Sequence, residues 1–307
     1  MAQAPLPAYG LDDILSARAK DALRSLELNA RRAVEGALHG VHRSRRKGIS
    51  TEFDHHKQYQ PGDPLKHLDW KVSARHDRYF VKRYLEDTAL TLHIVVDRSA
   101  SMRRASGGAT KFLQAARIAA GLVYLALRQG DSAGLALSDA GETVWVTPGS
   151  TQAHLVRVLQ ALAAREAGAL DQLPVTLQQI LDRARRKGLV ALVSDLMFDP
   201  APVQRALASL QAQGHEVLLF QLRDPAEEDF PFNRWVQFQD LEDPARRHRL
   251  DTIPLKRLYR EEYAALQREW REWARKYNVH LVSSRTDEPV ETVLTSYIRR
   301  RVEPRGS

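Results

Sequence analysis

The sequence predicts an α/β fold on a doubly wound, mostly parallel sheet, with a small β-rich accessory lobe and an N-terminal helix. From residue 88 onward, short apolar strands alternate with helical segments, the rhythm of such a sheet. Two of those strands, "LHIVVD" and "LVALVSD", are apolar runs that each end on a carboxylate. Residues 49–87 have another texture, with a Pro-Gly-Asp turn between β-prone stretches.

The elements follow in chain order. Leu11, Ile14, Leu15, Ala22, Leu26, Ala30 and Val34 fall at helical spacing with Gly40 as a stop, which predicts an amphipathic helix over 11–38. That helix and a basic linker make up residues 1–48, and the β-rich lobe occupies 49–87. The α/β domain spans 88–301. Its strands are expected at 89–96, 133–138, 143–147, 189–194, 215–222 and 279–283, and its helices at 110–128, 151–164, 176–187, 201–213 and 289–301. An insertion at about 223–255 interrupts the alternation with a hairpin, Arg234 to Asp240 and Arg246 to Asp251. A two-stranded hairpin is marginal alone in water, so it is expected to join the 49–87 lobe. The next helix carries Tyr259, Tyr263, Leu266, Trp270, Trp273 and Tyr277 at spacings of three and four, a stripe that reads as core packing.

Composition sets limits on function. A chain of 307 residues with 43% hydrophobic content can bury a substantial core. With no cysteine there is no disulfide, no thiolate nucleophile and no cysteine-rich zinc site, which fits a reducing cytoplasm. The N-terminal stretch lacks a basic start followed by an apolar segment, and no run reaches the roughly 18 apolar residues of a membrane span. A soluble, cytoplasmic protein is expected. The net charge of +8 leaves acidic partners open, yet the basic clusters "HRSRRK" (42–47) and "YIRRRVEPRGS" have no interleaved aromatics to stack bases. They read as solvated faces, and nucleic acid is not an expected partner, although a binder using these clusters is one alternative.

Several motifs have plain readings. "GDSAG" (130–134) matches the G-x-S-x-G elbow of serine hydrolases in letters, but a helix precedes it and a strand follows, the reverse of the elbow's context. A hydrolase using Ser132 is therefore the second alternative only. "ASGGATK" (105–111) lacks the spacing that wraps a phosphate and reads as a loop opening a helix. His55 and His56 point to opposite faces of a strand, and with His67 and His76 they read as surface histidines.

"LHIVVDRSASM" is the informative stretch. Asp97, Ser99 and Ser101 follow a buried strand at alternate positions, about 6 to 7 Å apart if extended, so the chain must curl for their oxygens to share an ion. Loops leaving the carboxyl ends of parallel strands do curl, and they form the ligand crevice of open α/β sheets. Serines there also serve as turn formers and caps. Asp195 ends a second strand at the same edge, and two buried aspartates in one crevice repel unless a cation lies between them. Hydroxyls and carboxylates without imidazole or thiolate suit Mg²⁺ or Mn²⁺.

D-x-S-x-S after the first strand, "GDSAGLALS" entering the second and S-D after a later one resemble the von Willebrand factor A fold with its metal-ion-dependent adhesion site. With "EFDHHKQYQPGDPLKHLDWKVSAR" (52–75), "LRDPAEEDFPF" and "FQDLED", the chain resembles bacterial domain-of-unknown-function family fifty-eight from about residue 43 to 301. The resemblance implies that Asp97, Ser99 and Ser101 gather the ion, that Asp195 supports it, and that a threonine joins from a third loop. Thr176 in "QLPVTLQQILDRA" is the candidate, without the glycines the family usually shows before it, and Thr151 in "PGSTQAH" is the alternative. It also implies a non-catalytic, metal-dependent protein-binding module completed by a partner's carboxylate. The family's usual companions are MoxR-type AAA+ ATPases, so an adaptor or co-chaperone role is expected.

Overall fold

The apolar runs form the centre of a six-stranded sheet. The computed structural model describes residues 9–24, 53–60, 68–76, 78–84, 90–106, 108–138, 143–168, 172–184, 186–232, 234–239 and 247–302. The chain divides into two compact units, residues 38–89 and the remainder.

In the larger unit, β3 (Thr91–Val96), β4 (Ser132–Leu137), β5 (Val144–Gly149), β6 (Leu189–Ser194), β7 (Glu216–Arg223) and β10 (His280–Arg285) lie in the order β10-β7-β6-β3-β4-β5. Every neighbouring pair is parallel except β4 with β5. The central strands are mostly apolar on both faces because helices cover both. Ile94, Val96, Leu135, Val193 and Phe220 pack on one face with α4 (Lys111–Arg128), α5 (Gln152–Ala163) and α10 (Val290–Val302). Val95, Ala136, Leu192 and Leu219 pack on the other with α6 (Leu173–Arg183), α7 (Pro200–Ala212) and α9 (Thr252–Lys276). The expected doubly wound α/β architecture is present.

The edge strand β5 carries Pro148, whose ring lies where a Cβ on Gly134 of β4 would come within 2.9 Å. Glycine at 134 is what lets the two strands approach.

Two expectations are corrected. The helix over 11–38 is not continuous. α1 (Leu11–Ile14) ends at Leu15, and Ser16 starts a second helix, α2, over 17–24, by accepting the Ala19 N–H at 3.1 Å. A serine side chain competes for backbone donors and so favours a cap over a helix interior. Residues 25–38 lie outside the described residues. The insertion hairpin, β8 (Trp235–Gln239) with β9 (Arg247–Asp251), is a separate two-stranded sheet and belongs to the larger unit rather than to the 49–87 segment. Its support is α9: Asp251 ends β9 and caps that helix through the Ile253 N–H, and Thr252 donates to the Arg234 carbonyl at 2.7 Å. Between β7 and β8 lies a short helix, α8 (Pro225–Asp229).

The smaller unit pairs β1 (Phe53–Gln58) antiparallel with β2 (Phe80–Tyr84). Asp69 caps α3 (Trp70–His76) by accepting the Lys71 and Val72 N–H groups, and it also pairs with His56 at 2.9 Å.

The aromatic stripe of α9 is core where it meets the sheet and surface elsewhere. Trp270 and Trp273 are buried, whereas Tyr277 is 38% exposed.

Candidate metal site

The carboxyl ends of β3, β4, β6 and β7 form one edge of the sheet, and the sequence places its polar residues there. Asp97 continues β3 by one residue, with its N–H on the Val193 carbonyl at 3.0 Å. The Ser138 N–H on the Val96 carbonyl continues β4 in the same way. Alternation then places Ser138, Asp97, Ser194 and Gln221 on the face packed by α6, α7 and α9.

The chain curls after Asp97, as an ion site requires. The Ser99 N–H donates to Asp97 Oδ1 at 2.7 Å, a turn Ala100–Arg103 follows, and the Ser99 and Ser101 hydroxyls come to 3.0 Å from each other. Adjacent ligands of an octahedral Mg²⁺ at about 2.1 Å each are separated by about 3.0 Å, so the hydroxyl pair matches one edge of such a shell. Ser194 Oγ donates to Asp97 Oδ2 at 2.6 Å. The Ser138 hydroxyl beside them is buried with no hydrogen-bond partner, a free oxygen on the same edge. The donors present fit a hard divalent cation.

Asp97 is wholly buried, and burial together with the charge of Asp195 raises its pKa from 3.8 to about 6, against hydrogen bonds from Ser194 and Ser99 that lower it. The two carboxylates feel each other, as the sequence implied.

A cation does meet Asp195, and it belongs to the chain. The Lys111 ammonium, 0% exposed, donates to Asp195 Oδ2 and to Glu227 Oε1, each at 2.6 Å. Burial alone would lower the lysine pKa, but Asp195 and Glu227 together outweigh it and hold the ammonium above its ordinary value. Sequence reading missed both Lys111 and Glu227. The signal was a single lysine in register with Ala115, Ile118, Ala119 and Leu122, on the buried stripe of α4. Among the described residues no three His, Asp or Glu side chains converge as a metal cluster, so the hydroxyls are essential to the site's reading.

The threonines separate. Thr176 lies in the first turn of α6, which starts three residues earlier than expected, and its buried hydroxyl is 3.0 Å from that of Thr143. Thr143 precedes β5 where that strand pairs with the carboxyl end of β4, so this pair belongs to the same sheet edge as Asp97. Thr151 does not. It caps α5 by accepting the His154 N–H at 3.2 Å, just beyond Gly149, which pairs with Ala133 at the opposite end of β4. Ser132 also lies at that opposite end, opening β4 after a helix and donating to Thr91 Oγ1 at 3.2 Å, so no strand-to-helix elbow is formed.

The turn after Asp97 is fastened from below. Arg98 donates to the Glu166 carbonyl at 2.7 Å, Arg103 donates to the Ala167 carbonyl at 3.2 Å, and the Gly168 N–H returns a bond to the Arg98 carbonyl at 2.9 Å. Gly168 has φ of +122°, and a Cβ there would strike the Arg103 guanidinium. Gly168→Ala is expected to cost about 1–3 kcal/mol. Thermal denaturation checks this, and an unchanged midpoint would show that residues 166–168 do not brace the turn.

In a doubly wound α/β domain the carboxyl ends of the strands, where Asp97, Ser138 and Ser194 gather, are where ligands bind. Residues 55–273 match the family described as "Protein of unknown function DUF58", and the chain belongs to that family. It is similar to an uncharacterized protein of Mycobacterium tuberculosis, 29% identical over 239 residues that cover 77% of this chain and 75% of the relative. It is also similar to the uncharacterized protein YeaD of Bacillus subtilis, 28% identical over 131 residues, 40% of this chain and 31% of that one. Similar solved structures include the conserved hypothetical protein BatB from Bacteroides thetaiotaomicron, with TM-score 0.46 and 12% identity over 69% of this chain and 98% of that one. The SpRpn10 VWA domain aligns with TM-score 0.40 and 12% identity over 67% of this chain and 94% of that one. No helix among the described residues is long and apolar enough to cross a membrane.

Proposed function

We propose that the chain is a non-catalytic protein-binding module that holds Mg²⁺ or Mn²⁺ at Asp97, Ser99 and Ser101, with Asp195 and Thr176 supporting the site. A carboxylate from a protein partner completes it. The observation that carries this reading is the pair of hydroxyls 3.0 Å apart beside a buried carboxylate at the sheet's carboxyl edge. Neutral hydroxyl ligands leave a bound dication electrophilic enough to attract an anionic ligand from another molecule. The proposed partner is a MoxR-type AAA+ ATPase or its client, on the strength of the family resemblance.

The test is capture of a MoxR-type ATPase from the same organism, with and without EDTA, for the wild type and Asp97→Ala. Capture is expected only for the wild type with divalent ion present. Asp97→Ala should keep its circular dichroism spectrum, since relieving crowded carboxylates offsets the lost ligand. Equal capture in all four conditions would mean that the "DRSAS" oxygens serve only the turn.

A further inference from the structure

Lys111 is the side chain this reading does not absorb. It opens α4, where Thr110 caps the helix by accepting the Leu113 N–H at 3.0 Å, and its own N–H donates to the Arg104 carbonyl at 3.0 Å. Both ends of the residue are therefore held: the backbone against the loop that follows the Asp97 turn, the ammonium between Asp195 and Glu227. Asp195 is occupied on both oxygens, because Oδ1 accepts the Met197 N–H at 3.1 Å. Glu227 lies on α8, at the start of the insertion, where Arg104 also approaches it at 3.9 Å from a partly exposed position.

Burying an ammonium with two carboxylates is costly, and an apolar residue of similar volume usually packs as well. A purely structural role is thus a poor account of a fully buried lysine on a mostly apolar helix face. The charges suggest a better one. The Lys111 ammonium is shared between Asp195 and Glu227, Arg104 also approaches Glu227, and the Asp97 carboxylate lies within electrostatic reach of Asp195, so a dication would offset the repulsion between the two aspartates.

We propose that Lys111 is a resident counter-charge that competes with the divalent ion for Asp195, and that Glu227 retains the ammonium when Asp195 turns to the ion. The inference rests on reading Asp97, Ser99 and Ser101 as the ion site. It adds regulation to that site: the ion's affinity is set by how tightly Lys111 holds Asp195, and loading shifts the lysine's bonding toward α8. The ion site and the insertion are then linked through one side chain.

The test is Mn²⁺ titration by isothermal calorimetry, with thermal midpoints recorded in EDTA and in excess Mg²⁺. Lys111→Met frees both carboxylates and is expected to tighten Mn²⁺ binding at least tenfold. Glu227→Gln leaves Lys111 with Asp195 alone and is expected to weaken binding severalfold. Opposite shifts support the proposal, and unchanged affinity in a folded Lys111→Met overturns it. Should Lys111→Met be unfolded in EDTA, recovery of its thermal transition in Mg²⁺ supports the proposal, whereas no recovery in any divalent ion overturns it. Ser99→Ala in the wild-type background tests the underlying reading separately. A wild type without Mn²⁺ binding removes the ion-site reading; Mn²⁺ binding that then appears in Lys111→Met, and is lost again with Asp97→Asn, keeps Lys111 as the crevice's own cation. No binding in either overturns both.

Discussion

Trp270→Ala is expected to destabilise the protein by about 3–5 kcal/mol, the range for deleting a buried aromatic side chain. Trp270 is 0% exposed and lies edge-on to Phe198 at 6.1 Å and to Trp273 at 6.0 Å. Its indole N–H donates to the Leu196 carbonyl at 3.3 Å. Leu196 is the residue after Asp195 and has φ of +57°, a left-handed conformation that a branched side chain rarely adopts. Such strain persists only where the surroundings enforce it, and here the indole and the packed Leu196 side chain do so. Trp270→Phe keeps most of the apolar area and loses the hydrogen bond, so about 1–2 kcal/mol is expected. Urea denaturation separates the two. If Trp270→Phe cost as much as Trp270→Ala, the bond to Leu196 would be the main term; if neither cost anything, Trp270 would not hold the Asp195 turn.

Asp97→Asn is expected to stabilise the metal-free protein at pH 7 while removing divalent binding. The carboxyl has a folded pKa of about 6 against 3.8 in the ordinary state, so the native state binds the extra proton between those values. Stability from this group is therefore fully present below about pH 4 and falls as pH rises toward 6. A shift of this size corresponds to on the order of 3 kcal/mol at pH 7, an upper figure for a wholly buried carboxyl. His93 works in the opposite direction. Burial and the neighbouring His215 lower its pKa from 6.5 to about 4, so its contribution is present above 6.5 and falls as pH drops toward 4. The quantity to measure is thus the difference between Asp97→Asn and wild type in urea titrations from pH 4 to 7, in which the His93 contribution cancels. That difference should be near zero at pH 4 and grow to about 1–3 kcal/mol at pH 7, and added Mg²⁺ should close it for the wild type. A difference that does not change with pH would show that Asp97 ionises freely in the folded protein.

Much of the sheet was legible because buried parallel strands need continuous apolar runs, and "LHIVV" and "LVALVS" could hardly be anything else. A curl after Asp97 was legible only as the condition for its oxygens and those of Ser99 and Ser101 to share an ion. Other parts depend on contacts made across the chain. The break at Ser16 turns on one side-chain bond within an otherwise helical pattern. The hairpin's attachment rests on Asp251 and Thr252, which the sequence marks only as the end of the second hairpin strand and the residue after it until Arg234 is known to lie beside them. Lys111 is the clearest case. Its partners are 84 and 116 residues away, so a sequence that marks the lysine as misplaced on its helix does not say which carboxylates receive it.

Pro148 bears on how this protein meets others. An outermost strand with free backbone donors invites a further strand from a second chain, the route to aggregation as well as to one common mode of peptide capture. Position 148 has no N–H to offer, and its ring is pressed against Gly134, so β5 is poorly suited to extension by an incoming chain. Main-chain pairing, which is largely indifferent to sequence, is thereby disfavoured on the β5 side and left to the opposite edge, where β10 carries no proline.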